Sequence, residues 1–236
     1  VFAAGGYGFL DFSDSTFTDI TQRNAVVGIE HSLNGVDSLG VNYGFTQLQF
    51  SRGGSVVKTH SVRLAYGRRL TNRMAMQIDA GPQIAMFDDP LFGPTQRLYW
   101  TASGSLQYRR GRSALGLSYR HDLGGGSGVL AGSKADTVTA SWRRRLTPRW
   151  DFGLNVGYGH HQSVQTFSGS AARPSFDTYI AGMRMSHKLA SDRSLYFGYH
   201  ASHQAGSVGC GGSCGFPLRH SVEVGFSWHP RQHRID

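Results

Sequence analysis

The sequence is short of the residues that build helices and soluble surfaces. Lysine occurs only at Lys58, Lys134 and Lys188, and glutamate only at Glu30 and Glu223. Charged residues make up 17% of the 236 positions, below the roughly 25% usual in soluble domains. No stretch approaches the roughly 18 consecutive apolar residues of a transmembrane helix, which excludes a helical membrane protein. With few strong helix formers apart from arginine, the chain is not an α-protein. Cysteine is confined to Cys210 and Cys214 in Cys-Gly-Gly-Ser-Cys. A zinc site needs about four ligands at set spacings, so this pair does not make one. Two readings of the pair stand, a small loop disulfide in an oxidising compartment or two free thiols. The disulfide is favoured, because the glycines let so short a ring close. The opening Val-Phe-Ala-Ala-Gly-Gly has no basic segment of a signal peptide, as expected of a mature or trimmed chain.

What is present is a period of two. Leu39, Val41, Tyr43 and Phe45 alternate with Gly40, Asn42, Gly44 and Thr46; Met74, Met76, Ile78 and Ala80 alternate with Ala75, Gln77, Asp79 and Gly81. Trp150, Phe152, Leu154, Val156 and Tyr158 follow the same rule, as do Val222, Val224, Phe226 and Trp228. Each run is a strand with one apolar face and one face of Gly, Ser, Thr, Asn and charge. The pattern predicts about twelve strands, near 1–12, 22–33, 38–50, 58–70, 74–87, 97–110, 113–123, 134–146, 150–163, 175–189, 194–205 and 218–229. Its continuity makes 1–236 a single domain.

The connections alternate strictly between short and long. Asn34–Asp37, Thr71–Arg73, Gly111-Arg112, Thr147–Arg149 and Ala190–Arg193 are tight turns; 13–21, 51–57, 88–96, 124–133, 164–174 and 206–217 are long loops. On an antiparallel sheet this puts every short turn at one end and every long loop at the other. Strands of this length fit a tilted bilayer crossing, which takes roughly 9–11 residues. A soluble barrel with the apolar face inside is the competing arrangement. It suits closer to eight strands, and its exterior would carry charge rather than Gly, Ser and Thr.

On these features the chain resembles a Gram-negative outer-membrane β-barrel protein of the porin-like superfamily. The last strand, His220-Ser-Val-Glu-Val-Gly-Phe-Ser-Trp228, resembles the C-terminal assembly signal of such barrels, although this chain continues to Asp236. The resemblance implies an all-β, antiparallel, up-and-down transmembrane barrel, integral to the bacterial outer membrane. Its short turns would be periplasmic and its long loops extracellular. Its neighbours would be outer-membrane lipids, both phospholipid and lipopolysaccharide.

The net charge of +9 is carried almost wholly by arginine. Arg68, Arg69, Arg73, Arg109, Arg110, Arg112, Arg143, Arg144, Arg145, Arg149 and Arg193 crowd the short-turn end. Snorkelling to anionic headgroups accounts for most of them. The inward-facing members, Arg69, Arg109, Arg143 and Arg145, form a basic periplasmic rim that would focus anions. Alternation sends Glu30, Arg63, Asp79, Arg184 and Glu223 to the lumen, since an Arg on the lipid face costs roughly 2–4 kcal/mol at the midplane. Arg144 is sent outward beside Trp142. Trp150 and Trp228, with Tyr66 and Tyr108, fall where one interfacial girdle belongs, and Trp100 lies toward the other.

His121-Asp122, His160-His161, His200, His203 and His220 gather toward the long-loop end. They complete no recognisable catalytic motif and no specific metal-ligand set, so neither catalysis, a metal nor a cofactor is expected. Gly124-Gly-Gly-Ser-Gly lacks the helix and Lys of a phosphate loop. No nucleic-acid-binding pattern accompanies the basic charge. The expected function is a narrow passive channel for small hydrophilic solutes, favouring anions. The contrasting reading is a non-conducting barrel that anchors an envelope or surface assembly through a protein partner at its loops.

Overall fold

The computed structural model describes residues 1–11, 19–51, 56–89, 93–124, 133–163, 175–190, 192–206, 214–215 and 217–228. The strands are β1 (Phe2–Leu10), β2 (Ile20–Ser32), β3 (Asp37–Phe50), β4 (Val56–Thr71), β5 (Met74–Asp89), β6 (Gly93–Arg110), β7 (Ser113–Gly124), β8 (Ser133–Arg145), β9 (Trp150–Ser163), β10 (Ser175–Lys188), β11 (Arg193–Gly206), β12 (Cys214–Gly215) and β13 (Arg219–Trp228). Twelve are long, and β12 is a two-residue piece that pairs with the end of β11. All lie in one up-and-down sheet in which each long strand pairs antiparallel with its sequence neighbours. Among the described residues the sheet's edges are β1 and β13.

Three strands start two or more residues earlier than the alternation predicts: β2 at Ile20, β4 at Val56 and β6 at Gly93. The expected loops 13–21, 51–57 and 88–96 are correspondingly shorter. At the starts of β2 and β4 the added residues bring Ile20 and Val57 to the face opposite the apolar alternation, where both are buried, and β6 begins with Gly-Pro-Thr-Gln, which has no apolar alternation. In β3 the apolar set Leu39, Val41, Tyr43 and Phe45 likewise gives way to Leu48 and Phe50, one residue out of phase. The backbone keeps pairing, because its polar groups need partners whichever face is apolar. The expected pairing of Cys210 with Cys214 lies outside the described residues.

The short turns are held by side chains that sequence alone could name. Asn34 Oδ1 accepts from the backbone N–H of Val36 and of Asp37, at 2.8 Å each. Thr147 Oγ1 accepts from Trp150 N–H at 3.1 Å. Gly111 supplies the turn before β7 with a φ of +56°, a conformation that costs glycine little.

Alternation gives the sheet two faces. The outer face carries Val41, Leu64, Leu117, Val156 and Val224, all exposed. Register places these among rows of like residues: Leu117 is paired with Leu106 and Ala140, and Val156 with Ala140 and Ala181. A contiguous apolar surface of this extent is foreign to a water-facing sheet. Transfer of each such side chain out of water is worth about 1.5–3 kcal/mol. The inner face carries Gly, Ser, Thr, Asn and the charged residues. Neighbours there close over the glycines: a Cβ on Gly225 would overlap the Tyr196 ring, and one on Gly81 the backbone carbonyl oxygen of Val62.

Candidate functional site

The most strongly charged part of the inner face lies at the short-turn end of β6–β10. The register builds one row straight across the sheet. Arg109 is paired with Ala114, Ala114 with Arg143, Arg143 with Gly153, Gly153 with Arg184, Arg184 with Gly198, and Gly198 with Glu223. Long side chains thus alternate with Ala or Gly, and the small residues leave open space between the arginines. Arg145 stands two residues beyond Arg143 on the same face. Arg109, Arg143, Arg145 and Arg184 line one cavity of about 750 Å³ together with Gln107, Ser141, Asn155, Ser186 and one carboxylate, Asp151. Arg145 Nε lies 3.6 Å from that Asp151 carboxylate. Arg109 and Arg143 have no carboxylate partner among the described residues.

Arg184 is oriented by its neighbours. Its guanidinium carbon sits 3.9 Å from the Tyr196 ring centroid, a cation–π contact. The Tyr196 hydroxyl in turn donates to Glu223 Oε1 at 2.9 Å. The arginine and the glutamate therefore share one tyrosine and make no direct ion pair.

The other charged residues read from the sequence fall elsewhere on the inner face. Arg69 and Glu30 line a second cavity, of about 330 Å³, beside the β2–β3 turn. Arg63 Nη1 lies 3.3 Å from Asp79 Oδ1, and Ser103 Oγ donates to the other oxygen of the same carboxylate. Arg63 and Asp79 thus neutralise one another in mid-sheet. Arg144 is paired with Phe152 on the outer face, next to the Trp142–Phe152 edge contact.

Two features toward the long-loop end escape a reading of the sequence. One is an apolar cluster of Ile20, Leu48, Phe50, Val57, Ala85, Phe87 and Leu123, all buried, with Tyr99 packed against it. Only the phase slip in β3 hints at it. The second is a pair of matching triads on the outer face. Asp136 accepts from the Tyr119 hydroxyl and bonds His121 Nδ1, both at 2.7 Å. Asp177 accepts from Tyr158 at 2.9 Å and bonds His160 Nδ1 at 2.8 Å. His121 is thereby joined to Asp136 across the strand pair and not to its chain neighbour Asp122. His160 and His161 part to opposite faces, with His161 stacked on Phe176 at 4.6 Å. The outer face thus turns polar and aromatic in this zone, through Tyr43, His60, Tyr119, Tyr158 and Tyr179, as a membrane–water interface requires.

No protein-family model matches the sequence, and no curated protein matches it. Solved structures do match. The FrpB iron transporter of Neisseria meningitidis, F3-3 variant, superposes with a TM-score of 0.59 at 8% identity, over 80% of this chain and 36% of that one. The F5-1 variant in its apoprotein form gives 0.60, 8%, 80% and 37%. This chain therefore spans a little over a third of the length of those transporters. OmpT, an outer membrane protein of Vibrio cholerae, aligns over 96% of this chain and 94% of its own, with a TM-score of 0.46 and 9% identity. Taken with the apolar outer face and its interfacial aromatics, the fold is that of the integral outer-membrane β-barrels of Gram-negative bacteria.

Proposed function

We propose that the chain forms a narrow passive channel for small hydrophilic solutes, with a preference for anions. The observation that carries this reading is the inner-face cavity in which four arginines face a single carboxylate. In a lumen walled by low-dielectric protein, such an excess focuses the field and raises the local concentration of anions. Arg109, Arg143, Arg145 and Arg184 set the preference near the periplasmic side, with Arg69 contributing from the adjoining cavity. Arg63 adds little, because Asp79 holds it. The chemistry is passage, and no residue is assigned a catalytic role.

A second reading has its own support. The buried apolar cluster on the long-loop side, together with the Arg63–Asp79 pair, favours a barrel shut to solutes. Such a barrel would act through a protein partner at its extracellular loops. Planar-bilayer recording separates the two. Steady conductance, with a reversal potential of anion-selective sign that moves toward zero in Arg143→Ala, supports the channel. A folded protein that stays electrically silent refutes it.

A further inference from the structure

The arginines of the inner face are arranged as well as abundant. Neighbouring strands lie about 4.8 Å apart. Arg109, Arg143 and Arg184 stand on alternate strands of one row, so their attachment points repeat at about 9.6 Å, two strand spacings. The intervening positions are Ala114 and Gly153, which put no bulk between them. A diffuse basic rim has no reason to keep a row or a spacing. A guanidinium grips a carboxylate or phosphate through two parallel hydrogen bonds, and this fork has a definite direction. Three forks in a row, none of them ion-paired to a carboxylate among the described residues, form a track for successive anionic groups on one molecule. The Tyr196 ring beneath Arg184 holds the third fork in place, and Glu223 closes the row by repelling negative charge beyond it.

We propose that this row is a binding site for an extended organic polyanion whose carboxylate or phosphate groups are spaced to bridge alternate strands. The proposal rests on the reading of the inner face as a hydrated lumen, and it adds recognition to passage. A compact anion engages one arginine, whereas an extended one engages two or three.

Calorimetric titration of the detergent-folded protein tests the site without any need for conduction. The probes are butanedioate, octanedioate and octanoate, with pyrophosphate and butane-1,4-diyl bisphosphate in parallel to tell carboxylate from phosphate recognition. Extended octanedioate places its carboxylates roughly two strand spacings apart. It is expected to bind at least tenfold more tightly than butanedioate, which is too short, and than octanoate, which has one charge. Arg143→Gln, at the centre of the row, should weaken octanedioate at least tenfold, and Arg184→Gln should do the same from its end. Arg144→Gln, one residue away on the outer face, should leave it unchanged. Retained heat-modifiable migration on gels verifies that each variant is folded. If phosphates are the ligands, butane-1,4-diyl bisphosphate shows the same preference over pyrophosphate and the same dependence on Arg143. Equal affinity for all dianions, an equal loss with Arg144→Gln, or no binding of either series overturns the site. The bilayer recording judges the channel separately: a conducting protein without length preference refutes only the site, and a silent barrel that binds octanedioate refutes only the channel.

Discussion

A single arginine placed on either side of β7 measures which face meets lipid. Leu117 lies on the outer face, half exposed and flanked by Leu106 and Ala140. Ser118, the next residue, lies on the inner face with its hydroxyl 2.6 Å from Thr139 Oγ1. An arginine at a midplane lipid-facing position costs about 2–4 kcal/mol. At about 1.4 kcal/mol per factor of ten, Leu117→Arg should lower the folding equilibrium constant roughly 30- to 1000-fold. Ser118→Arg loses one hydrogen bond, worth about 1 kcal/mol, and puts its charge into a hydrated space. Its effect should stay near fivefold. Urea titration of both variants in lipid vesicles, followed by tryptophan fluorescence, gives the two values under one set of conditions. If Ser118→Arg is as damaging as Leu117→Arg, or more so, the assignment of faces is wrong and the apolar side is the interior of a soluble sheet. A cost for Leu117→Arg that persists equally in detergent-free buffer would refute the lipid argument as well.

Other substitutions probe the packing. Gly81→Ala drives a methyl group into the Val62 carbonyl and should reduce refolding yield sharply. Gly104→Ala, whose Cβ would meet Ile78 Cγ2 at an ordinary 3.7 Å, should refold as the parent does. Phe87→Ala empties part of the buried long-loop cluster and should cost about 3–5 kcal/mol by urea titration. In bilayers it should raise single-channel conductance if that cluster narrows the path. Asp79→Asn strips Arg63 of its counter-charge and should cost about 1–3 kcal/mol. It should also move the reversal potential further toward anion selectivity, and an unchanged potential would remove Arg63 from the conduction path.

Much of this protein is determined by local patterning. A side-chain period of two states which residues share a face, and a short-long alternation of loops states which strand ends share a side. Neither requires a knowledge of partners. That is why the strand order and the apolar runs that carry Val156 and Val224 could be placed from the chain alone. Register is different, because it depends on how one strand slides against the next. Only the folded sheet decides that Arg109, Arg143 and Arg184 fall in one row with Ala114 and Gly153 between them. Only there does Tyr196 come to bridge Arg184 and Glu223, and only there does His121 find Asp136 instead of the adjacent Asp122. The buried cluster around Phe50 and Phe87 was hidden for a related reason. Where the sheet leaves the apolar layer, the stabilising direction for an apolar side chain turns from outside to inside. A reading that follows one face then misses Ile20 and Val57 at the starts of β2 and β4, while the backbone continues to pair.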